Sequence, residues 1–540
     1  MSNRIFLVGL PGSGKTTLAP LLAARLGWAW VDLDREIETR TGQTIPELFT
    51  QSEAAFRQQE TEALAAVAGR ERCIIATGGG VVLAEANRQV MRQGGTTVAL
   101  LVTPEFAVQR IAAQGITRPL LQPAPLHRMQ QLVAERAALY AEADLMVETD
   151  GVAPEAIARR VLASVVAAGK LTNDTAPETI AVALPQTPYT ITVGWGLFAQ
   201  LADQLRGLGL PHRLTVVTDA QVAALLLPGV LAQLTAQGFI AQPIIIPAGE
   251  PSKSMTQLGA IYDALIAARA ERGEALVALG GGVVGDLAGF AAATYLRGVP
   301  LIHVPTTLLA QVDSAIGGKT GINHPLAKNA IGAFYQPRAV LIDPAALLSL
   351  DDRLLREGWG EIVKYAITLD ADLFGQLEAV GADLPSLPAE ELTPIIARCA
   401  RLKAQIVSED EREAEQRMVL NYGHTIGHAL EATTGYGTLL HGEAVFLGMA
   451  VEARIAERLG LISAEVVARQ DALTAAIGPQ TPTALPDALT ILAATRLDKK
   501  TRGGRIQWVL PVSIGATTLR ADVPDDLVLA VLGEWLARMR

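Results

Sequence analysis

Short apolar runs alternate with helix-length amphipathic stretches through the first third of the chain. IFLVGL (5–10), CIIATGGG (73–80) and TVALLVT (97–103) read as strands, with helical spacing of apolar residues between and after them. Such a βα alternation predicts a parallel sheet covered by helices on both faces. It stops at a helix ending near Ala168. The following stretch, 169–178 (GKLTNDTAPE), is small, polar and proline-containing, and reads as a linker at which the chain can be cut into two working halves. A second alternation then begins, with LTVVTD (214–219), QPIIIPAGE (242–250), EALVALGGG (274–282) and PLIHVPTT (300–307). From about residue 345 the strands fade, and long helical segments such as 392–413 and 442–460 take over. The expected organisation is α/β throughout: a parallel-sheet unit over 1–168, a linker over 169–178, a second α/β unit over 179–344 and an α-helical unit over 345–540.

Composition narrows the class. A chain of 540 residues is too long for one ordinary core, and with half its residues apolar it can bury several. The formal charge of -10 argues against nucleic acid as a partner, because phosphate backbones select basic surfaces. An anion can still be bound where Lys and Arg gather locally. Residues 220–249 carry no formal charge, yet Pro228, Pro243 and Pro247 and several glutamines break the run, so a helix followed by a strand is expected there rather than a membrane span. Cys73 and Cys399 have no metal-type spacing and read as reduced core residues of a cytoplasmic protein. Met1 leads straight into a strand and a nucleotide motif, which reads as a chain without a signal peptide.

The first chemistry is a phosphate loop. Gly9 to Thr16 fits G-x-x-x-x-G-K-[ST] between an apolar strand and a helix. Backbone N–H groups of Gly12, Ser13, Gly14, Lys15, Thr16 and Thr17 can wrap phosphates, Lys15 can reach the outer ones, and the Thr16 hydroxyl can ligate Mg²⁺. Asp32 and Asp34 in VDLDREI are expected at a strand end, on one face by period two; a pair of helix-capping aspartates is the alternative. Arg57, the glycine triplet 78–80 and Arg136 would together suit a small carboxylate bearing hydroxyls.

Through GLPGSGKTT, DLDREI, AFRQQE, ATGGG, RPLL and ERAALY, residues 1 to about 168 resemble shikimate kinase, a P-loop fold. The resemblance implies ATP as phosphoryl donor, with Asp34, Arg57, Gly79 and Arg136 on shikimate. It puts Thr16 and, through water, Asp32 on Mg²⁺, Arg110 beside adenine, and Arg118 in a lid over the transferring phosphate. VETDGVAPEA (147–156) departs from the pattern by lacking a basic residue near the adenine.

The second chemistry is spread more widely. Gly280, Gly282 and Gly285 satisfy G-x-G-x-x-G after EALVAL, but no acidic residue stands about twenty positions on. The polar segments 304–323 and 325–337 put Thr, Gln, Asp, Ser, Lys and Asn beside the same sheet. Downstream lie Glu361 and Lys364, then His424, His428 and His441. The i, i+4 spacing pairs His424 with His428 on one helix face, with Glu361 as a third metal ligand.

Residues from about 179 to 540 resemble 3-dehydroquinate synthase, which joins a Rossmann-like NAD-binding α/β domain to an α-helical metal- and substrate-binding domain. The resemblance implies a different metal set, Glu361, His424 and His441, holding Zn²⁺ or Co²⁺, with His428 facing the substrate. It implies NAD⁺ on Asp219, Glu250, Lys253, Gly282, Val283, Val284, Gly285, Asp286, Thr306 and Thr307, with Lys319 and Lys328 alongside. The heptulosonate phosphate substrate would meet Arg297, Asp313, Lys319, Lys328, Asn329, Lys364, Lys403, Arg417, Asn421 and His428, joined by one of Lys499 and Lys500. The catalytic groups are then Lys15, Asp34 and Arg118 in the first site, and Lys319, Lys364 and His428 in the second. NAD⁺ would be reduced and reoxidised within one turnover, so no NADH accumulates.

Two rivals remain in view. A metal-dependent alcohol dehydrogenase of the glycerol dehydrogenase type would share the second two-domain plan, but it has no use for Lys319, Lys328, Asn329, Lys364 and Arg417, and it would produce NADH. A regulatory phosphate-loop switch would have no use for Asp34, Arg57 and Arg136. The expected partners are small molecules, shikimate and the heptulosonate phosphate, with neither nucleic acid nor membrane, and the resemblance leaves room for a homodimer through the second half.

Overall fold

The computed structural model describes residues 3–539 apart from 114–120, 122, 326, 414–415, 436, 481, 483, 497–500 and 503–504, with 501, 502 and 505 as backbone only. Strands β1 (Arg4–Val8), β2 (Ala29–Asp32), β3 (Cys73–Ala76), β4 (Thr96–Leu101) and β5 (Leu145–Glu148) form a parallel sheet in the order β2-β3-β1-β4-β5. All of β3 and nearly all of β1 is buried, as expected for central strands covered on both faces. Because β3 and β4 leave β1 on opposite sides, a crevice opens at the carboxyl ends of these strands. Gly14, at φ 97°, makes the left-handed turn from which the helix Lys15–Leu26 rises.

The period-two reading of 31–37 does not hold. β2 ends at Asp32 and Leu33–Thr41 is helical, with Asp32 capping it by accepting from the backbone N–H groups of Asp34 (3.1 Å) and Arg35 (3.3 Å). A strand-end carboxylate that satisfies orphan amides starts a helix, so Asp34 belongs to its first turn.

In the second half come β6 (Glu178–Val182), β7 (Tyr189–Val193), β8 (Arg213–Asp219), β9 (Ile240–Ile246), β10 (Ala275–Gly280) and β11 (Leu301–Pro305). An antiparallel hairpin, β12 (Lys319–His324) and β13 (Ala327–Phe334), leaves the sheet before β14 (Ala339–Ile342) rejoins it. The order is β6-β7-β14-β11-β10-β8-β9, parallel except at β6/β7. The uncharged stretch 220–249 becomes two short helices, Ala220–Leu225 and Leu227–Ala236, and the edge strand β9, which can hold Pro243 because an edge has unpaired positions. Among the described residues no helix is long and apolar enough to cross a membrane.

Beyond 345 the helices Asp352–Leu369, Thr393–Glu409, His424–Thr434 and His441–Arg458 carry the polar residues of the second site. This part is not purely helical. Trp508–Ser513 and Ala516–Arg520 pair as a hairpin, with Trp508, Val509 and Leu510 buried. The stretch after Ala168 is no slack tether either, since Leu171 is buried in a core that extends into both halves.

Candidate functional sites

At the carboxyl end of the first sheet, the phosphate loop closes on itself. Lys15 Nζ donates to the carbonyls of Gly9 (2.8 Å) and Leu10 (2.9 Å) and to Ser13 Oγ (3.3 Å). The Thr16 hydroxyl donates to Asp32 Oδ2 at 2.8 Å, so the loop hydroxyl and the strand-end carboxylate form one polar edge. Asp32 is thus both the helix cap and a loop partner.

The glycine triplet gathers the rest. A methyl added at Gly78 would stand 3.0 Å from Asp34 Oδ1 and from Glu60 Oε1, one at Gly79 3.0 Å from Pro11 Cδ, and one at Gly80 2.5 Å from the Arg57 guanidinium. The Gly79 carbonyl accepts from Arg136 Nη1 (2.8 Å) and from the Tyr140 hydroxyl (2.7 Å). Asp34, Arg57, Gly79 and Arg136 therefore surround one turn. Glu60, which sequence reasoning missed, receives Arg57 Nη1 at 2.7 Å and keeps Oε1 without a hydrogen bond among the described residues. Burial pushes its carboxyl above the usual range, although Arg57 opposes the shift. Its i, i+3 spacing from Arg57 was the available signal. Arg110 donates to Thr149, within the segment that lacks the expected basic residue.

In the second half the glycine turn follows β10 and opens the helix Gly282–Thr294, which includes Val283, Val284, Gly285 and Asp286. Added methyls would meet Thr307 Cγ2 at Gly281 and Ser314 Oγ at Gly282, each at 3.0 Å, and the buried Thr306 Oγ1 has no hydrogen-bond partner among the described residues. A bare backbone at a helix N-terminus, lined by hydroxyls, fits a dinucleotide's pyrophosphate. Asp219 ends the neighbouring strand β8 and caps the next helix through Gln221 (2.8 Å) and Val222 (3.0 Å). Asp219 thus puts an acid at the carboxyl end of the strand that pairs with β10, while the motif has none downstream in sequence. Glu250 Oε1 accepts from Asn323 Nδ2 at 2.8 Å, and Lys253 Nζ joins Asp286 (2.7 Å) to Asn329 (2.5 Å).

Next to this turn lies a basin of paired cations. Lys403 Nζ donates to Asp313 Oδ1 (2.7 Å), the Tyr365 hydroxyl donates to the same oxygen (2.7 Å), and Lys364 Nζ stands 4.0 Å from it. These charges hold Asp313 well below the ordinary carboxylate range despite its burial. Burial brings Lys403 down to about 8, partly offset by Asp313. Lys319 Nζ (2.5 Å) and Asn421 Nδ2 (3.1 Å) both donate to Glu413, and Arg417 is buried against the carbonyls of Gly317 (3.1 Å) and Glu411 (2.8 Å). Lys328 donates to Glu431 at 3.0 Å.

Glu361 lies at the bottom of the basin and is fully buried. Its Oε2 receives Lys364, while Oε1 makes no hydrogen bond among the described residues and lies 3.6 Å from both His424 Nε2 and His441 Nε2. The other ring nitrogen of His424 is 3.1 Å from the Tyr422 carbonyl, which favours a proton on Nδ1 and a lone pair on Nε2. Donors of a tetrahedral ion with bonds of about 2.0–2.1 Å are about 3.4 Å apart, so these three fit a divalent metal. His428, Glu431 and His441 form a second such triplet, sharing His441. The i, i+4 pair His424 and His428 is adjacent, with ring centroids 5.4 Å apart, but the two do not complete a triplet with Glu361.

Arg297 is the predicted contact that this network does not take in: it lies exposed, at φ 62°, in the turn after the helix Gly282–Thr294. Arg118, Lys499 and Lys500 fall outside the described residues. Tyr365, Glu413 and Glu431 were missed: each meets a partner distant in sequence, Asp313, Lys319 and Lys328 in turn, although Glu431 also stands at i, i+3 from His428.

Comparisons with known proteins agree with both halves. The family model for shikimate kinase matches residues 11–166, and those for the N-terminal and C-terminal parts of 3-dehydroquinate synthase match 243–357 and 358–501. A 3-dehydroquinate synthase from Synechocystis sp. is 44% identical over 361 residues, 66% of this chain and 99% of that protein. Among solved structures, ValA (2-epi-5-epi-valiolone synthase) from Streptomyces hygroscopicus subsp. jinggangensis, with NAD⁺ and Zn²⁺ bound, has a TM-score of 0.61 and 31% identity, covering 66% of this chain and 99% of that one. A shikimate kinase from Acinetobacter baumannii in complex with shikimate is 37% identical, covering 31% of this chain and 95% of that one, with a TM-score of 0.30.

Proposed function

The chain belongs to the 3-dehydroquinate synthase family and carries a shikimate kinase ahead of it, and from that premise we propose which residues perform each reaction. The kinase comprises residues 1–168 and the synthase 179–540, its NAD-binding part ending near 344; the segment 169–178 joins them.

In the kinase, the backbone and side chains of Gly12 to Thr17 cradle ATP phosphates, with Arg110 near the adenine. Thr16 and, through water, Asp32 hold Mg²⁺, which neutralises charge on the transferring group when bound. Arg57 and Arg136 clamp the shikimate carboxylate against the Gly79 turn, and Glu60 fixes the angle of Arg57. Asp34 takes the proton of the acceptor hydroxyl. Lys15 and Arg118 bear on the charge of the moving phosphoryl group, and Arg118 helps to exclude water.

In the synthase, Glu361, His424 and His441 hold Zn²⁺ or Co²⁺. Asp219, Glu250, Lys253, the turn Gly282–Asp286, Thr306 and Thr307 hold NAD⁺. Together these supply Lewis acidity at a substrate hydroxyl and its transient oxidation. Lys319, Lys328, Asn329, Lys403, Arg417, Asn421 and Arg297 bind the carboxylate and phosphate of the heptulosonate phosphate. Lys364, set between Glu361 and Asp313, holds a proton at Nζ against the reacting oxygens, and His428 carries one beside the leaving phosphate. One observation supports this reading over an alcohol dehydrogenase: the cation basin of Lys319, Lys364, Lys403 and Arg417 adjoins the Glu361 triplet. Among the described residues those four cations meet only three carboxylates, Asp313, Glu361 and Glu413, with the Arg417 side chain on carbonyls alone, which suits an anionic substrate better than a neutral polyol.

We also place both reactions in the cytoplasm, which the free, buried Cys73 and Cys399 support. The exposed Ile240 and Ile245 on edge strand β9, beside exposed Met255 and Ile266, support a homodimer through the synthase half. ³¹P NMR of the full chain tests the two activities. Shikimate 3-phosphate should form from ATP, and inorganic phosphate should leave the heptulosonate phosphate with no net NADH. Accumulating NADH would contradict the synthase assignment.

A further inference from the structure

The last helix of the kinase, Pro154–Ala167, is buried on more than the single stripe that a surface helix hides. One side packs on the phosphate-loop helix Lys15–Leu26 and on β5. Another packs on the synthase turn Pro344–Ser349 and on the helices Ala220–Leu225 and Leu227–Ala236. Ile157, Val161, Leu162 and Val165 are fully or almost fully buried, and they belong to one apolar cluster with Leu18 and Leu22 of the kinase and with Val230, Ala345 and Leu347 of the synthase.

The fit is close. A methyl at Gly229, on the synthase side, would stand 2.6 Å from Ala167 Cβ, and one at Gly169 would stand 2.8 Å from Ala199 Cα. Charged contacts add orientation. Arg25, in the last turn of the phosphate-loop helix, donates to Asp352 at 2.6 Å, and Arg72 lies 2.7 Å from Glu390. Both pairs are partly exposed and so contribute little by themselves. The turn Pro344–Ser349 is followed directly by the Asp351 cap of the helix that carries Glu361 and Lys364.

We propose that the kinase and the synthase are one cooperative folding unit, with the helix Pro154–Ala167 as core to both, so that ligands of either site stabilise the other. Ordinary inter-domain contacts are small and polar and leave domains to melt separately; this one is a continuous core. It also replaces the expectation that a cut within 169–178 leaves two working halves. The inference rests on packing, and uses the proposed function only for the choice of ligands.

Scanning calorimetry of the full chain tests it, with binding of each ligand set first verified by titration. One transition is expected, raised on the order of 2 °C by saturating ADP, Mg²⁺ and shikimate, and likewise by NAD⁺ with Zn²⁺. Two transitions, each answering to one ligand set, would overturn the proposal. Failure of a ligand to bind would instead count against the site assignment. In a second arm, a protease site placed at the exposed Asp174–Ala176 is cut in the folded chain. The pieces should co-elute; pieces that separate and keep full turnover would also overturn the proposal. Gly229→Val, remote from both sites, should make the kinase lose activity on heating at a lower temperature than the native chain.

Discussion

Glu361 Oε1 lies 3.6 Å from His441 Nε2, and no hydrogen bond among the described residues satisfies that oxygen. His424 completes the set, while a competing triplet of His428, Glu431 and His441 shares one ligand with it. Replacing His424 or His441 by Ala should lower metal affinity by at least the ~100-fold that losing even an outer-shell partner can cost. His428→Ala should keep its metal but lose turnover. Atomic emission after dialysis reads the content; metal lost in His428→Ala but kept in His424→Ala would move the ion to the second triplet, and equal loss in both would favour the i, i+4 pair.

Chelation separates the two reactions by their metals. After stripping and dialysis, Mg²⁺ alone should restore phosphoryl transfer, while the synthase should require Zn²⁺ or Co²⁺. A synthase restored fully by Mg²⁺ would contradict a site with two imidazole ligands, because Mg²⁺ favours oxygen donors.

Arg57 is oriented by Glu60 at 2.7 Å and stands over the Gly80 backbone. Arg57→Ala should raise the KM for shikimate by about 10- to 100-fold, the scale of a lost hydrogen bond to a charged group, with a smaller effect on kcat. Glu60→Gln should produce a smaller rise in the same constant. Initial rates against shikimate concentration decide it, and an unchanged KM in Arg57→Ala would remove that residue from the carboxylate clamp.

Motifs whose chemistry needs a contiguous backbone were legible in the sequence: the loop from Gly9 to Thr16, and the turn from Gly280 to Gly285. What escaped was assembled over distance. Lys328 meets Glu431 across 103 positions, and Lys403 meets Asp313 across 90. No periodicity reports such pairs. Asp34 was given a strand position because apolar Val31 and Leu33 alternate with the two aspartates, yet the capping strength of Asp32 won over that alternation. The stretch 169–178 looked free because nine of its ten residues are not large and apolar; the exception, Leu171, is the one that anchors it.

Lys403 sets a pH limit on the synthase. Burial lowers its ammonium to about 8 in the substrate-free protein. The kcat/KM for the heptulosonate phosphate, which reports free-enzyme groups, should therefore fall above about pH 8. Between that value and the ordinary lysine pKa of about 10.4, the unfolded chain binds the extra proton, so this group makes stability rise with pH over the same window. Activity and stability thus move in opposite directions, and unfolding cannot be mistaken for the limb. Lys403→Arg, which stays charged, should shift the limb upward; an unmoved limb would assign it elsewhere.

The proposed assignments give one chain two complete and chemically separate active sites. Both turnovers should be measured side by side on the native protein, Lys15→Ala and His441→Ala, each verified as folded by its calorimetric transition. Lys15→Ala should lose phosphoryl transfer and keep the synthase, and His441→Ala should do the reverse. A folded variant that loses both activities, or a native chain that lacks either one, would contradict these assignments.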